Sequence, residues 1–402
     1  RQMCIRDSAS INAAISSLDH WRLSLLTALA AQGDLSLTEL AEALCQGWPT
    51  KPEAIQADIA DGISDLLDMV LVLEDSGRLH VIQIVTTHLS GYPAGLAPVS
   101  VMPMEPDKVT ERLTEAGPKA RSVLERLVWS PTGHVPNARR TVTPATATTP
   151  VETALAHQLL RPLDDDTVIL PREVSLALRG NRLFAKQPSP TPPPWPEPRQ
   201  TNLVNRAGLG TALEAVSAMS ALLEAVERHN CAVLANGGLA KRDARIVLSR
   251  VASGDDGWVY LALAVAGGLI GADGRSWLPT PLADRWRADS LWGQWVSLRN
   301  AWRHISQLPG HLDNTLDASA PATARAWRRL VHRELRSAEP GTPIETEVVA
   351  NRIRWRQPGT TVDDSLVEAV LDECRVLGMV ALDARTDLVD ARTCADMPER
   401  TK

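Results

Sequence analysis

Phenylalanine and tyrosine are nearly missing from this chain: one Phe and two Tyr stand against twelve Trp. Lysine is almost as scarce, at six of the 42 basic residues. With the many alanines, this pattern is read as the coding bias of a GC-rich genome before it is read as chemistry. The five cysteines form no CxxC pair, which excludes a zinc ribbon or a disulfide framework as the organising principle. Such cysteine use fits a reducing cytosol, so a cytoplasmic location is expected. No GxxxxGKS/T phosphate loop occurs, nor HExxH, nor GxSxG. A P-loop motor is therefore not expected in this chain. Gly208-Leu209-Gly210 carries Leu213 where a dinucleotide fingerprint has its third glycine, and no strand precedes it. Asp164-Asp165-Asp166 reads as a polar hairpin turn rather than a cation site. None of the nine histidines has metal-ligand spacing. No catalytic residue, metal or cofactor is expected, and the chain is not expected to be an enzyme. The longest apolar run, Trp258 to Ala272, contains three glycines. It is shorter than the roughly 20 residues a membrane span needs, so no membrane partner is expected.

What remains is a globular composition, 44% apolar and 22% charged over 402 residues, long enough for several domains. The formal charge of −6 excludes a wholly basic nucleic-acid coat but leaves room for a local basic face. The chain does not begin with Met, and Arg1–Ser8 has no helical or strand periodicity. That stretch is read as a foreign scar and the chain as a fragment of a longer one.

Four segments share one pattern: the end of an apolar helix, a short apolar strand, a turn, and a second strand. They are Leu66–Val85, Leu159–Pro171, Ala266–Thr280 and Val376–Ala391. Asp75-Ser76-Gly77, Asp164-Asp165-Asp166, Asp273-Gly274 and Arg385-Thr386-Asp387 supply the expected turns. What precedes each segment is also repeated: ahead of the first, Leu18–Ala31 carries a helical stripe that Gly33 ends. Ser36 and Glu39 form a capping box, and Pro52 opens a third helix with Ile55, Ile59, Ile63, Leu66 and Val70 on one stripe. Three helices and a hairpin is the winged-helix order. The fourth segment repeats it with helices at Ala322–Arg336, Ile344–Ile353 and Asp363–Leu377. The third does so more loosely, with helices at Leu203–Arg228, Lys241–Val251 and Gly254–Ala266, then an extra helix near Ser290–Ser306. The second is interrupted by a Thr/Pro loop from Thr141 to Pro150. Pro188–Pro198, with proline at seven of eleven positions, reads as a stiff spacer. The expected fold is mainly α with short β-hairpins, in tandem winged-helix-like modules. These span 9–100, 104–186, 201–310 and 320–395, with a Pro-rich linker at 187–200.

Charge patterning argues against base reading. The third helix of module one carries Glu53, Asp58, Asp61, Asp65 and Asp68, and that of module four Asp363, Asp364, Glu368, Asp372 and Glu373. Acidic helices do not suit a groove walled by phosphates. Positive charge gathers elsewhere. Lys241, Arg242, Arg245 and Arg250 lie on the second helix of module three, and Arg325, Arg328, Arg329, Arg333 and Arg336 share a broad helical face. The expected contacts to a nucleic-acid backbone are Arg325, Arg328, Arg329 and Arg333 first, then Lys241, Arg242 and Arg245. Trp327 and Trp355 are interleaved as stacking platforms or as core.

Leu170–Gly180 (LPREVSLALRG), Val233–Leu248 (VLANGGLAKRDARIVL) and Trp277–Trp286 (WLPTPLADRW) resemble signature segments of actinobacterial helicase-associated proteins carrying an XPB/Ssl-type helicase N-terminal domain. The resemblance runs over most of 9–392. Family members are longer, with an N-terminal extension and a helicase-labelled region that begins where this chain ends. The resemblance implies a non-motor scaffold in DNA metabolism or repair, with an XPB-type DNA helicase as partner. A pure protein-interaction module and a sequence-specific winged-helix regulator are the alternatives; oligomeric state is left open.

Overall fold

Local capping chemistry decides where many of these helices start. Asp19 accepts the Arg22 amide, and Ser36 with Glu39 closes the expected capping box. Thr149 and Glu152 form a second box, and Ser290 and Asp363 accept amides of the helices that follow them. Each such cap contributes about 1 kcal/mol by satisfying an otherwise orphaned amide. In the computed structural model the described residues are 8–100, 102–229, 231–235, 238–251, 256–312 and 322–391. They are mainly helical, with a few short antiparallel strand pairs.

The chain divides into two compact units. One holds the residues up to Pro192 together with Trp355–Gly359; the other holds Pro193–Arg354 and the residues from Thr360 onward. The first begins with α1 (Ser8–Ser17), α2 (His20–Gln32), α3 (Leu37–Cys45) and α4 (Pro52–Asp68). The hairpin β1 (Val72–Asp75) and β2 (Arg78–Val81) follows, then α5 (Gln83–His88). Next come α6 (Pro106–Leu127), broken at Gly117-Pro118, β3 (Thr132–His134), α7 (Pro150–Ala156), β4 (Arg161–Pro162), β5 (Thr167–Ile169) and α8 (Arg172–Leu178). Two cores serve this unit. Trp21, Leu25, Leu29, Ile59, Ile63 and Leu66 belong to one; Val109, Leu124, Leu159, Val168 and Leu170 belong to the other.

The second unit contains α9 (Thr201–Arg228), β6 (Cys231–Ala232), α10 (Lys241–Leu248), α11 (Asp256–Ala266), β7 (Ile270–Asp273) and β8 (Ser276–Pro279). It continues through α12 (Pro281–Ala288), α13 (Leu291–Trp302), α14 (Ala322–Ser337), α15 (Thr346–Arg356, whose last two residues belong to the first unit), α16 (Asp364–Val376), β9 (Val380–Ala381) and β10 (Ala384–Arg385). One continuous core runs through it, from Leu222 and Leu263 to Trp295, Val331, Ile353 and Leu371. By length and composition α9 could cross a membrane, but its apolar stripe, including Ala215, Met219, Leu222 and Leu223, is buried in this core.

All four hairpins share a second feature. The later strand of each is also paired on its far side by chain that lies between the first helix and the helical segment before the hairpin. The pairs are Leu35 with Leu79, β3 with β5, β6 with β8, and Pro343 with Ala384. The expected fourth turn at Arg385-Thr386-Asp387 is corrected: β9 and β10 are joined by Leu382-Asp383, both with positive φ. Arg385 and Thr386 read as turn residues because they are polar, yet both are buried and bonded. The Arg385 guanidinium donates to Leu335 O at 3.0 Å, and the Thr386 hydroxyl to Gly378 O at 2.8 Å. The start of module three's third helix, at Gly254, lies outside the described residues.

The Pro-rich segment is held along its length rather than free of partners. Within the first unit, the Trp355 indole donates to Ser189 O at 3.1 Å. Within the second, Arg352 stacks 4.4 Å above the Trp195 ring, whose N–H reaches the Ser337 hydroxyl at 3.2 Å.

The Gly208-Leu209-Gly210 motif has a packing role. A Cβ on Gly208 would stand 2.7 Å from both Gly378 O and the Thr386 methyl, so α9 meets the turn after α16 backbone to backbone. Gly378 itself has φ +71, which favours glycine. Gly210, two residues on, faces open space. Gly208→Ala should cost about 1–3 kcal/mol in urea unfolding through overpacking. Gly210→Ala should instead stabilise by about 1 kcal/mol, the ordinary helix gain over glycine.

Candidate nucleic-acid interface

The α14 helix sorts its arginines by angle. At about 100° per residue, Arg325, Arg329, Arg333 and Arg336 fall within an arc of about 80°, and Arg328 turns about 60° to the other side of Arg325. The four in the arc are exposed. Arg325 and Arg329 make no ion pair or side-chain hydrogen bond among the described residues. Arg333 lies 3.7 Å from Glu334, and Arg336 is 3.3 Å from Asp390.

Arg328 is corrected. It was expected to contact a nucleic-acid backbone, and the structure buries it completely, at 0% exposure. Its Nη2 and Nε donate to the two Glu373 carboxylate oxygens at 2.6 and 2.7 Å, a bidentate pair. Nη1 donates to Gln307 O at 2.9 Å and Ile305 O at 3.2 Å. The Trp302 indole donates to the same carboxylate at 2.8 Å. Every group in this cluster has a partner, as a buried ion pair requires. The cue overlooked in the sequence is that Glu373, counted as part of an acidic surface, sits between Asp372 and Cys374 on the apolar side of α16.

Trp355 belongs to the first unit's core, and Trp327 packs partly buried against the second unit's core, so neither is a free stacking platform. Lys241, Arg242 and Arg245 are all exposed, because α10 turns Ala244, Val247 and Leu248 inward. Arg242 and Arg245 have no ion pair among the described residues.

A cluster that sequence reasoning missed lies beside α14. Arg299 lies in the last turn of α13 and Arg303 caps that helix's C-terminus, and His332 and Arg336 are one turn apart on α14. With Asn300 they line a cavity of about 340 Å³. Arg299 and His332 are buried at its inner side; Asn300, Arg303 and Arg336 are exposed. Arg299 Nη2 lies 2.9 Å from His332 Nε2. The same ring nitrogen lies 3.2 Å from Val389 O, to which Arg299 Nη2 also donates at 2.9 Å. Burial, Arg299, Arg303 and Arg336 pull His332 down to about 4. The paired i, i+4 basic residues on α13 and α14 were the available cue.

The first unit also has a cleft rich in cations, of about 930 Å³, beside Lys108, Arg112, Arg139, Arg140 and Arg161. Its arginines are committed within the protein. Arg140 pairs with Glu152 at 3.3 Å, Arg161 with Glu173 at 3.0 Å, and Arg112 donates to Gln158 at 2.8 Å. Arg139 lies 3.5 Å from Asp165.

The segments that carry the family resemblance prove largely structural. In 170–180, Arg172 donates to Ala31 O at 2.6 Å, and Arg179 is buried with carbonyl partners only, among them Ala94 O at 2.9 Å and Gly95 O at 2.7 Å. It stacks 4.0 Å over Trp129, and burial pulls it down to about 10. In 277–286, Thr280 caps α12 and the Trp286 indole donates to Gln294 O at 2.9 Å. Both segments turn the second hairpin strand straight into a helix. The third segment, 233–248, ends in the basic helix α10; residues 236 and 237 lie outside the described residues. No family model, curated protein or solved structure matches the chain.

Two outcomes are expected from these contacts. Arg328→Gln should destabilise the second unit by about 3–5 kcal/mol in denaturant unfolding, because it strands Glu373 in the core. Pairing Arg328→Met with Glu373→Leu should recover most of that loss, and a double-mutant cycle measures the coupling. His332 has a folded value below its unfolded one, so the unfolded chain binds the proton more readily as the pH falls. Its contribution is present above about 6.5 and is lost as the pH falls toward about 4, up to about 3 kcal/mol. Unfolding at a series of pH values should show this slope in the wild type and a shallower one in His332→Gln.

Proposed function

We propose that this chain is a non-motor scaffold that holds nucleic-acid backbone, built from four winged-helix-like repeats. The observation that carries the binding role is the exposed arc of α14. Arg325 and Arg329 are unpaired there among the described residues and continuous with Arg333 and Arg336. Guanidiniums not already neutralised are available to replace the counterions of a phosphate chain. Arg242 and Arg245 on α10 add a second exposed set.

The repeat reading rests on the fourfold order of helix, flanking strand, helical segment and hairpin, with the flanking segment always beside the hairpin's later strand. Backbone holding fits better than base reading. The position of a recognition helix is taken by α4, α11 and α16. Glu53, Asp61 and Asp68 on α4 are exposed, α11 is buried along most of its length, and α16 exposes Asp364 and Asp372. A sequence-specific regulator would need cations there. The exposed acids of α4 favour a protein contact as a second role. The resemblance to helicase-associated proteins suggests an XPB-type DNA helicase as that partner, in DNA metabolism or repair.

Fluorescence anisotropy with a labelled oligonucleotide across a salt series tests the reading. The wild type should bind with a steep salt slope, and Arg325→Glu with Arg329→Glu should weaken binding at least tenfold and flatten the slope by about 2. Binding unchanged by the double reversal, or none at low salt, would overturn it. Arg328 must be left intact in this test, since its replacement reports on folding.

A further inference from the structure

We propose that the cavity between α13 and α14 is a phosphate-monoester site that takes the terminal phosphate of a nucleic-acid strand. This deepens the backbone-holding reading and rests on it. The exposed arc of α14 is suited to phosphodiesters, which carry one charge and are flanked by sugar on both sides. The cavity has a different character. Its volume of about 340 Å³ is at the small end of ligand sites, ample for a phosphate and one sugar. Arg299 and His332 are buried at its inner side and so lie beyond the reach of a mid-strand phosphodiester. A terminal phosphate has a single ester link and can enter end on.

The donor set matches a monoester. Arg303 makes no ion pair or side-chain hydrogen bond among the described residues. Asn300 Oδ1 accepts from Arg299 Nη1 at 3.3 Å, which leaves its amide nitrogen as a donor. Arg336 reaches Asp390 at 3.3 Å, and that half-exposed carboxylate also pairs with Arg385, so an incoming phosphate can share Arg336 with it. A phosphate monoester has a charge near −2 and three terminal oxygens, which suits the exposed guanidiniums of Arg303 and Arg336, with the buried Arg299, whose Nη2 donates to Val389 O at 2.9 Å, adding positive charge behind them. His332 stays neutral beside them, in keeping with a strongly positive cavity.

The test uses the full chain and one oligonucleotide made with either a 5′-phosphate or a 5′-hydroxyl, with inorganic phosphate as a separate probe in thermal unfolding. The 5′-phosphate should raise affinity roughly tenfold, as one or two charge-assisted contacts would. Arg303→Gln, at an exposed position that leaves the fold's contacts alone, should abolish that increment; Arg336→Gln should reduce it. Arg325→Glu with Arg329→Glu should weaken both oligonucleotides and leave the ratio between them. Salt-sensitive binding with equal affinity for the two ends would overturn the cavity proposal while the backbone reading stands. Failure of both oligonucleotides to bind would overturn the backbone reading and, with it, the strand-end assignment. Inorganic phosphate that then still raises the unfolding temperature of the wild type but not of Arg303→Gln would show a free-phosphate site instead.

Discussion

The second unit is organised around one buried ion pair. Arg328 and Glu373 come from α14 and α16, and Trp302 at the end of α13 completes the carboxylate's shell. The carbonyls of Ile305 and Gln307 occupy the remaining guanidinium donors. An ion pair this deep gives little net stability over a well-packed apolar core. Its effect is geometric: the bidentate fork accepts only one rotation of α14 against α16. That rotation sends Arg325, Arg329, Arg333 and Arg336 outward and brings His332 against Arg299. The exposed arc and the adjacent cavity both follow from where Arg328 is fixed.

Other buried guanidiniums work in the same way. Arg352 joins Glu334 at 3.2 Å, Ser337 at 3.1 Å and the Trp195 ring, tying α15 to α14 and to the proline segment. In the first unit Arg179 does so without any carboxylate, gathering carbonyls from three separated stretches of chain. Arginine suits this role better than lysine because its planar fork holds several acceptors in fixed directions. The arginine-rich composition carries the mark of coding bias and supplies surface charge. For Arg179, Arg328, Arg352 and Arg385 it is also the polar framework of the core.

This explains which parts of the protein were legible in its sequence. Helices with a cap and a clean stripe, such as α3 and α4, were readable because the signal is local: Ser36 and Glu39, Pro52, and apolar residues one turn apart. The first three hairpin turns were readable for the same reason. The fourth was misplaced because Leu382-Asp383 has no local turn signature, while Arg385 and Thr386 look like surface residues until their distant partners are known. The arginine site was half legible. Helical spacing brings Arg325, Arg329 and Arg333 together, but it cannot say which neighbour a carboxylate 45 positions away will claim. The Arg299–His332 contact was hidden similarly, by a separation of 33 residues.

The continuous core of the second unit has a consequence for how that unit comes apart. Two repeats with separate interiors can open one at a time. Here Trp295 on α13 donates to Leu377 O at 3.0 Å, Gly208 meets Gly378 backbone to backbone, and Arg328 draws carbonyls from the chain that follows α13. The cooperative block is the whole of this core. Slow hydrogen exchange should therefore embrace α9, α11, α13, α14 and α16 as one foldon.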